Sequence, residues 1–169
     1  MSSIRIVDYR PEHQPCFESL NREWIEAMFE MEPMDEWVLK NPGEAILESG
    51  GAIIMAEYDG VPAGTVALRK LDDTSFEFSK MAVDKNYRRL GIAEAICYAS
   101  FRKAASLGAK TIILYSNRRN EGAIQLYEKT GFRHVELGPQ IYKRANVKMV
   151  IDIESAMRIA QEQEKLINA

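Results

Sequence analysis

Apolar and polar residues alternate in "SIRIVDY", near the start of the chain, and predict a first β-strand. From Glu12 the period lengthens. Phe17, Leu20, Trp24 and Met28 recur at three- and four-residue steps and give one apolar helical face. "MEPMDEWVLKNPGEAILES" is acidic and interrupted by Pro33 and Pro42, so one or two short helices are expected there. "AIIMAEY" and "AGTVALR" flank Asp59-Gly60 and read as a hairpin, because Asp-Gly supplies the positive φ angles of a tight turn. "SFEFSKMAV" is the next strand. A helix follows from about Gly91 to Ser106, with Ala93, Ile96, Cys97, Ser100, Phe101 and Ala104 inward and Gly108 at its stop. "TIILYS" reads as a buried strand. Asn120 looks like the N-cap of another helix, with Glu121 in its first turn, Ile124, Leu126 and Tyr127 along it and Gly131 at its end. "FRHVEL" and "VKMVIDI" are closing strands. The tail from Glu154 to Ala169 is helical, with Ala156, Met157, Ile159 and Ala160 on one apolar side. The order β-α-α-β-β-β-α-β-α-β-β predicts an α/β (α+β) fold: a mixed sheet flanked by helices, with an extra C-terminal helix.

Composition narrows the classes. A chain of 169 residues suits one domain with a sizeable core. Its formal charge of −3 argues against a general nucleic-acid binder, whose surface carries a basic excess. Two cysteines, Cys16 and Cys97, each inside an expected helix, imply reduced thiols and a cytoplasmic setting. No apolar run approaches the ~18 residues of a membrane span, so no membrane partner is expected. The two histidines, His13 and His134, belong to no cluster with ligand spacing, and no metal is expected.

The stretch "YRRLGIAEAICYASF" sets two arginines and Gly91 at the mouth of a helix. Free N–H groups and a partial positive charge make a helix start a seat for phosphate, and glycine lets a ligand approach the backbone. A basic loop with one turn glycine explains the same letters. Two further patterns weigh on the choice. "FEFSKMAV" ends five residues before Arg88, and "NEGAIQLYEKTGF" follows the strand "TIILYS". Together with Arg88-Arg89-Leu90-Gly91-Ile92-Ala93, in this order from about Ile4 to Asp152, the chain resembles the GNAT superfamily of acetyl-CoA-dependent N-acyltransferases.

The resemblance implies a mostly antiparallel sheet, a GNAT domain over 1–152 with 153–169 as its helical extension, and acetyl-CoA as co-substrate. It places the pyrophosphate on N–H groups from Arg88 to Ala93, with Arg88 and Arg89 adding charge or remaining solvated surface. It places the pantetheine arm along the main chain of Met81, Ala82 and Val83, whose side chains also read as core. Asn117 or Asn120 is implied to touch the cofactor, although a helix cap alone explains Asn120. Tyr127 is implied to stand near the cofactor sulfur, where a phenol of pKa near ~10 can serve a departing thiolate of pKa near ~8.5. Glu77 matches a position that some relatives use as general base. A solvent-facing strand glutamate is the plain alternative.

The expected activity is therefore direct acetyl transfer to a primary amine of a small molecule, peptide or protein. A non-catalytic acyl-CoA-binding sensor, or a module for another phosphate ligand, explains fewer of the motifs. The acceptor is the least specified part. Glu23, Glu26, Glu30, Glu32, Asp35 and Glu36, interleaved with Trp24, Phe29, Met34 and Trp37, would suit a cationic amine, and a solvated helix face explains them equally. Tyr142 and Arg144 are placed in the same cleft by position alone. The apolar side of the tail needs a cover, either its own domain or a second subunit, and a homodimer is expected.

Overall fold

The computed structural model describes residues 3–168; residues 1 and 2, and Ala169 at the end of the expected tail helix, lie outside them. Seven strands form one sheet: β1 (Ile4–Asp8), β2 (Ala52–Tyr58), β3 (Val61–Lys70), β4 (Ser75–Val83), β5 (Thr111–Ser116), β6 (Arg133–Val135) and β7 (Val147–Asp152). Their spatial order is β1-β2-β3-β4-β5-β7-β6. All neighbours are antiparallel except β4 and β5, which run parallel. The helices are α1 (Gln14–Met28), α2 (Pro33–Lys40), α3 (Ile92–Ser106), α4 (Glu121–Thr130) and α5 (Ile153–Asn168). This is the expected α/β class, a mostly antiparallel sheet flanked by helices. The β2–β3 turn has both Asp59 (φ 49°) and Gly60 (φ 85°) in the left-handed region, as its Asp-Gly pair requires.

Each face of the sheet carries its own core. Phe17 and Ile25 of α1 join Val38, Leu39 and Ile46 against Ile53, Met55 and Ala67 on one side. Ile92, Ile96, Phe101 and Ala104 of α3 pack with Phe76, Phe78, Ile112 and Met149 on the other. Burying a large apolar side chain is worth about 1.5–3 kcal/mol, so the two layers hold the sheet from both sides. Helix α3 lies close on β3 at Gly64. A β-carbon there would lie 2.8 Å from Ile96 Cδ1, 3.0 Å from Ile92 Cγ2 and 3.2 Å from the Ala82 carbonyl oxygen.

Two expectations are corrected. Ala93 of α3, expected inward, is half-buried at a cleft that Trp24 and Met28 of α1 also line. Strand β6 is three residues long, shorter than "FRHVEL", and pairs with β7 only from Arg133 opposite Val150 to Val135 opposite Lys148. The apolar side of α5 is covered within the chain: Ala156 and Ala160 are fully buried and the helix packs on α3 and β7. Of the two covers that the tail's apolar side allowed, its own domain supplies one.

Substituting Gly64 by alanine should overfill the α3–β3 contact and cost about 1–3 kcal/mol. Denaturant unfolding would read this as a lower midpoint at unchanged slope. An unaltered midpoint would mean that α3 can back away from the sheet without loss.

Candidate active site

Strands β4 and β5 pair only over Ser75–Glu77 and Thr111–Ile113 and then part. Beyond Glu77 the β5-facing edge of β4 has no strand partner. The main-chain groups along it are hydrogen-bonding groups without a sheet to satisfy them. The parting opens a cleft of about 450 Å³, with Phe78–Val83 on one wall and Leu114–Asn117 on the other. Strand β4 is also bulged. Thr65 pairs with Ala82, but Ala67, two residues on, pairs with Ser79, so β4 holds one extra residue against β3. Lys80 lies within the bulge at φ +54°, a conformation uncommon for a side chain other than glycine. Met81, Ala82 and Val83 all line the cleft.

One end of the cleft is the start of α3. The first helical hydrogen bond runs from Ala95 N–H to the Gly91 carbonyl at 3.1 Å, so the N–H groups of Gly91 to Glu94 have no helical acceptor. Gly91 is the N-cap at φ +85°, and a β-carbon on it would meet only Ile4 Cδ1, at 3.9 Å. Glycine is required there by the backbone, and the space beside it stays open. Arg88 and Ala93 line the cleft. Arg89 and Leu90 are exposed, and Ile92 turns its side chain into the core. For these three residues, any contribution to a ligand comes through main chain or charge.

Asn117, Asn120 and Tyr127 face the cleft from the opposite side. Asn117 is committed: its Nδ2 donates to the Arg144 carbonyl, and its Oδ1 accepts from Arg119 N–H at 2.9 Å. Asn120 occupies the N-cap position of α4, but its side chain makes no capping bond, so its amide is available to the cleft. Tyr127 is wedged edge-on against Phe78 and Phe132, with ring centroids 5.5 and 5.9 Å away. Among the described residues its hydroxyl has no hydrogen-bond partner. Burial, and to a lesser degree the neighbouring Cys97, pushes the phenol above its ordinary value, so it stays protonated at neutral pH.

Glu77 is 1% exposed, which removes the solvent-facing reading. Its Oε1 accepts from Arg69 Nη2 at 2.7 Å and Nε at 3.2 Å, and its Oε2 accepts from the Tyr142 hydroxyl at 3.0 Å. Each carboxylate oxygen has two acceptor sites, so Oε1 is full and Oε2 keeps one. Next to it lies a second buried group. Asp35, fully buried, bonds Lys80 Nζ at 2.9 Å and Arg144 at 2.6 and 2.9 Å, and accepts from Glu32 N–H at 2.9 Å. Burial pushes the Asp35 carboxyl up, but Arg144, Lys80 and that N–H outweigh it and hold it well below the usual range. Burial draws the Lys80 ammonium down against the pull of Asp35. The sequence reading had no place for Lys80 or Arg69; a lysine inside the apolar run "FEFSKMAV" was the one available sign. Tyr142 and Arg144 do line the cleft.

Among the described residues no group of three or more His, Cys, Asp and Glu is arranged to hold a metal ion. Comparison with known proteins adds the following. The family model described as the acetyltransferase (GNAT) family matches residues 7–132. An uncharacterized N-acetyltransferase of Mycobacterium tuberculosis is 33% identical over 90 residues, which is 53% of this chain and 58% of that relative; the chain therefore spans little more than half its length. The probable N-acetyltransferase san of Drosophila melanogaster is 28% identical over 148 residues, 85% of this chain and 75% of the relative. An acetyltransferase of the GNAT family from Staphylococcus aureus superposes with a TM-score of 0.81 at 22% identity, covering 89% of this chain and 99% of that one. The PaiA N-acetyltransferase of Thermoplasma acidophilum, solved in complex with coenzyme A, gives 0.71 at 16% identity over 89% and 99%. At these identities the structural likeness is one of fold.

Asp35→Asn should leave Lys80 buried without its counter-ion, with Arg144 kept by Glu32 alone, and cost about 3–5 kcal/mol. The wild type should also show the Asp35 contribution in acid. The folded carboxyl titrates below its unfolded value of 3.8, so the stability is fully present above that value and is lost as pH falls beneath it. Thermal melts from neutral to strongly acid pH should converge for the two proteins at the acid end. Parallel curves would mean that the pair adds nothing to stability.

Proposed function

Because the chain belongs to the GNAT acetyltransferase family, we propose that it transfers an acetyl group from acetyl-CoA to a primary amine. The observation that carries this reading is the open β4 edge, running from an unsatisfied helix start to a buried glutamate. The N–H groups of Gly91 to Glu94 suit the pyrophosphate, with Arg88 in the cleft and Arg89 at its mouth adding charge. Leu90 and Ile92 shape that turn, Ile92 by anchoring it in the core. Met81, Ala82 and Val83 present main chain to the pantetheine arm as a missing strand would. Of the two asparagines, Asn120 has the amide to offer, since Asn117 is held by Arg144 and Arg119.

Acetyl-CoA supplies the activated thioester. Glu77 takes up the acceptor's proton through the remaining site on Oε2, directly or across a water, and Arg69 and Tyr142 fix its orientation. Tyr127 donates a hydrogen bond where the sulfur departs. Its raised pKa favours holding the thiolate by that bond over giving up the proton outright. Main-chain N–H groups on the bulged strand receive the charge that grows on the carbonyl oxygen. Two free thiols, Cys16 and Cys97, support a cytoplasmic setting. A non-catalytic acyl-CoA sensor would need the helix start but neither the open Tyr127 hydroxyl nor Glu77, and thiol release with amines separates the two readings.

Coenzyme A at a hundredfold excess over Kd should stabilise the fold by about 2.7 kcal/mol and raise the melting temperature by roughly 5–10 °C. Pantetheine, lacking the pyrophosphate, should do much less; equal protection would remove the α3 cradle from the reading.

Tyr127→Phe should keep the coenzyme A shift while kcat falls roughly 10²–10⁴-fold at every pH. Glu77→Gln should lose kcat/KM mainly at low pH and regain much of it near pH ~9, where more amine arrives deprotonated. Wild-type turnover by Tyr127→Phe would return that residue to the core.

A further inference from the structure

The acidic stretch Glu23–Trp37 invited a cationic acceptor, and the structure gives those carboxylates other partners. Glu32 and Asp35 hold Arg144, Asp35 also holds Lys80, and Glu36 holds Arg22 and Lys40. Glu23, Glu26 and Glu30 are exposed and lie outside the cleft. The aromatic faces are taken as well. The Arg144 guanidinium carbon lies 5.9 Å from the Trp24 and Phe29 rings and 5.4 Å from Tyr142, and Lys80 Nζ lies 5.0 Å over Tyr142. The protein's own cations fill the places an ammonium ligand would seek.

What faces the cleft is of the other sign. Among the described residues lining it, Glu77 is the sole carboxylate, against Lys80, Arg88 and Arg144. Arg88 belongs to the α3 end; Lys80 and Arg144 stand with Glu77. Of its five N–H donors, Arg144 uses two on Nη1, to Glu32 and Asp35, and one on Nη2, to Asp35. Nε–H and the second Nη2–H have no protein acceptor among the described residues. A guanidinium already held by Asp35 and flanked by three rings has little side-chain freedom left to lose on binding.

Resting on the transferase reading above, we propose that the acceptor is an amine that also bears a carboxylate, as a free amino acid does, and that Arg144 binds this carboxylate and sets specificity. The amine end then meets Glu77 and the carboxylate end meets Arg144. Tyr142 touches both, through its hydrogen bond to Glu77 and its ring against Arg144. Polyamines are disfavoured, because a second ammonium would approach Lys80 and Arg144.

The test sets free amino acids against their α-amides, their decarboxylated amines and spermidine, with acetyl-CoA and thiol release as the readout. A charge-assisted contact to arginine predicts that the best acid exceeds its amide about tenfold or more in kcat/KM. The less basic amine of the amide biases the comparison against the proposal. A best acceptor without a carboxylate, or an amide used equally well, overturns it while leaving the transferase reading intact. Melting of the coenzyme A-bound protein gives a second readout free of turnover. Protection by an acid but not by its amide supports the carboxylate site even if no amine is acetylated, and in that case the transferase reading fails alone. Arg144→Lys keeps a cation on Asp35 but loses the fork; KM for the acid should rise about tenfold, with the coenzyme A shift unchanged. An unchanged KM in a folded variant overturns the role of Arg144, and should the variant not fold, the wild-type panel decides.

Discussion

The separation of β4 from β5 after three paired residues is the constraint on which the rest of the site depends. A sheet that stops pairing in its middle leaves main-chain donors and acceptors facing a gap, and such groups are costly to bury unpaired. The fold keeps this gap open. Two apolar layers hold the strands from both faces, the bulge at Lys80 bends β4 away from a regular ladder, and α3 begins where the gap ends. A ligand with an extended, hydrogen-bonding arm answers the vacancy better than a compact one, and the negatively charged end of such a ligand meets a helix start.

The second organising element is the polar layer beneath the cleft. Arg69 bonds Glu77; Lys80, Asp35, Arg144 and Glu32 form a second directly bonded run; and Tyr142 links the two through its hydroxyl on Glu77 and its ring against Lys80 and Arg144. Buried ion pairs add little net stability over an apolar packing of the same shape, because desolvation offsets attraction. Their contribution here is placement. Glu77 is fixed by Arg69 and Tyr142, Arg144 by Asp35 and Glu32, and neither needs to reorganise when a substrate arrives.

The fold was legible in the sequence because its elements announce themselves locally: alternation in β1, the Asp-Gly turn, Gly108 and Gly131 past the helix ends. The cofactor end was legible for the same reason, since Arg88 to Ala93 form a contiguous motif. The acceptor end was not. Asp35 and Arg144 are more than a hundred residues apart, and nothing in either neighbourhood says that they meet. The acids of α1 and α2 look alike in sequence, although Asp35 is fully buried and Glu30 is exposed. Trp24 and Met28 fit the apolar period of α1, and only the parting of two distant strands makes them the wall of a cleft.

The closed charge balance of the polar layer also bears on how this protein can diverge. Three cations and three carboxylates share one enclosure, so a change at Arg144 that alters acceptor choice leaves Asp35 with a partner too few. Drift toward a new acceptor is therefore channelled through paired replacements, Arg144 with Asp35 or Glu32, and single steps are filtered by the fold before selection on activity can act. Across related chains the trace should be covariation between α2 and the segment preceding β7, two regions with no contiguous motif between them.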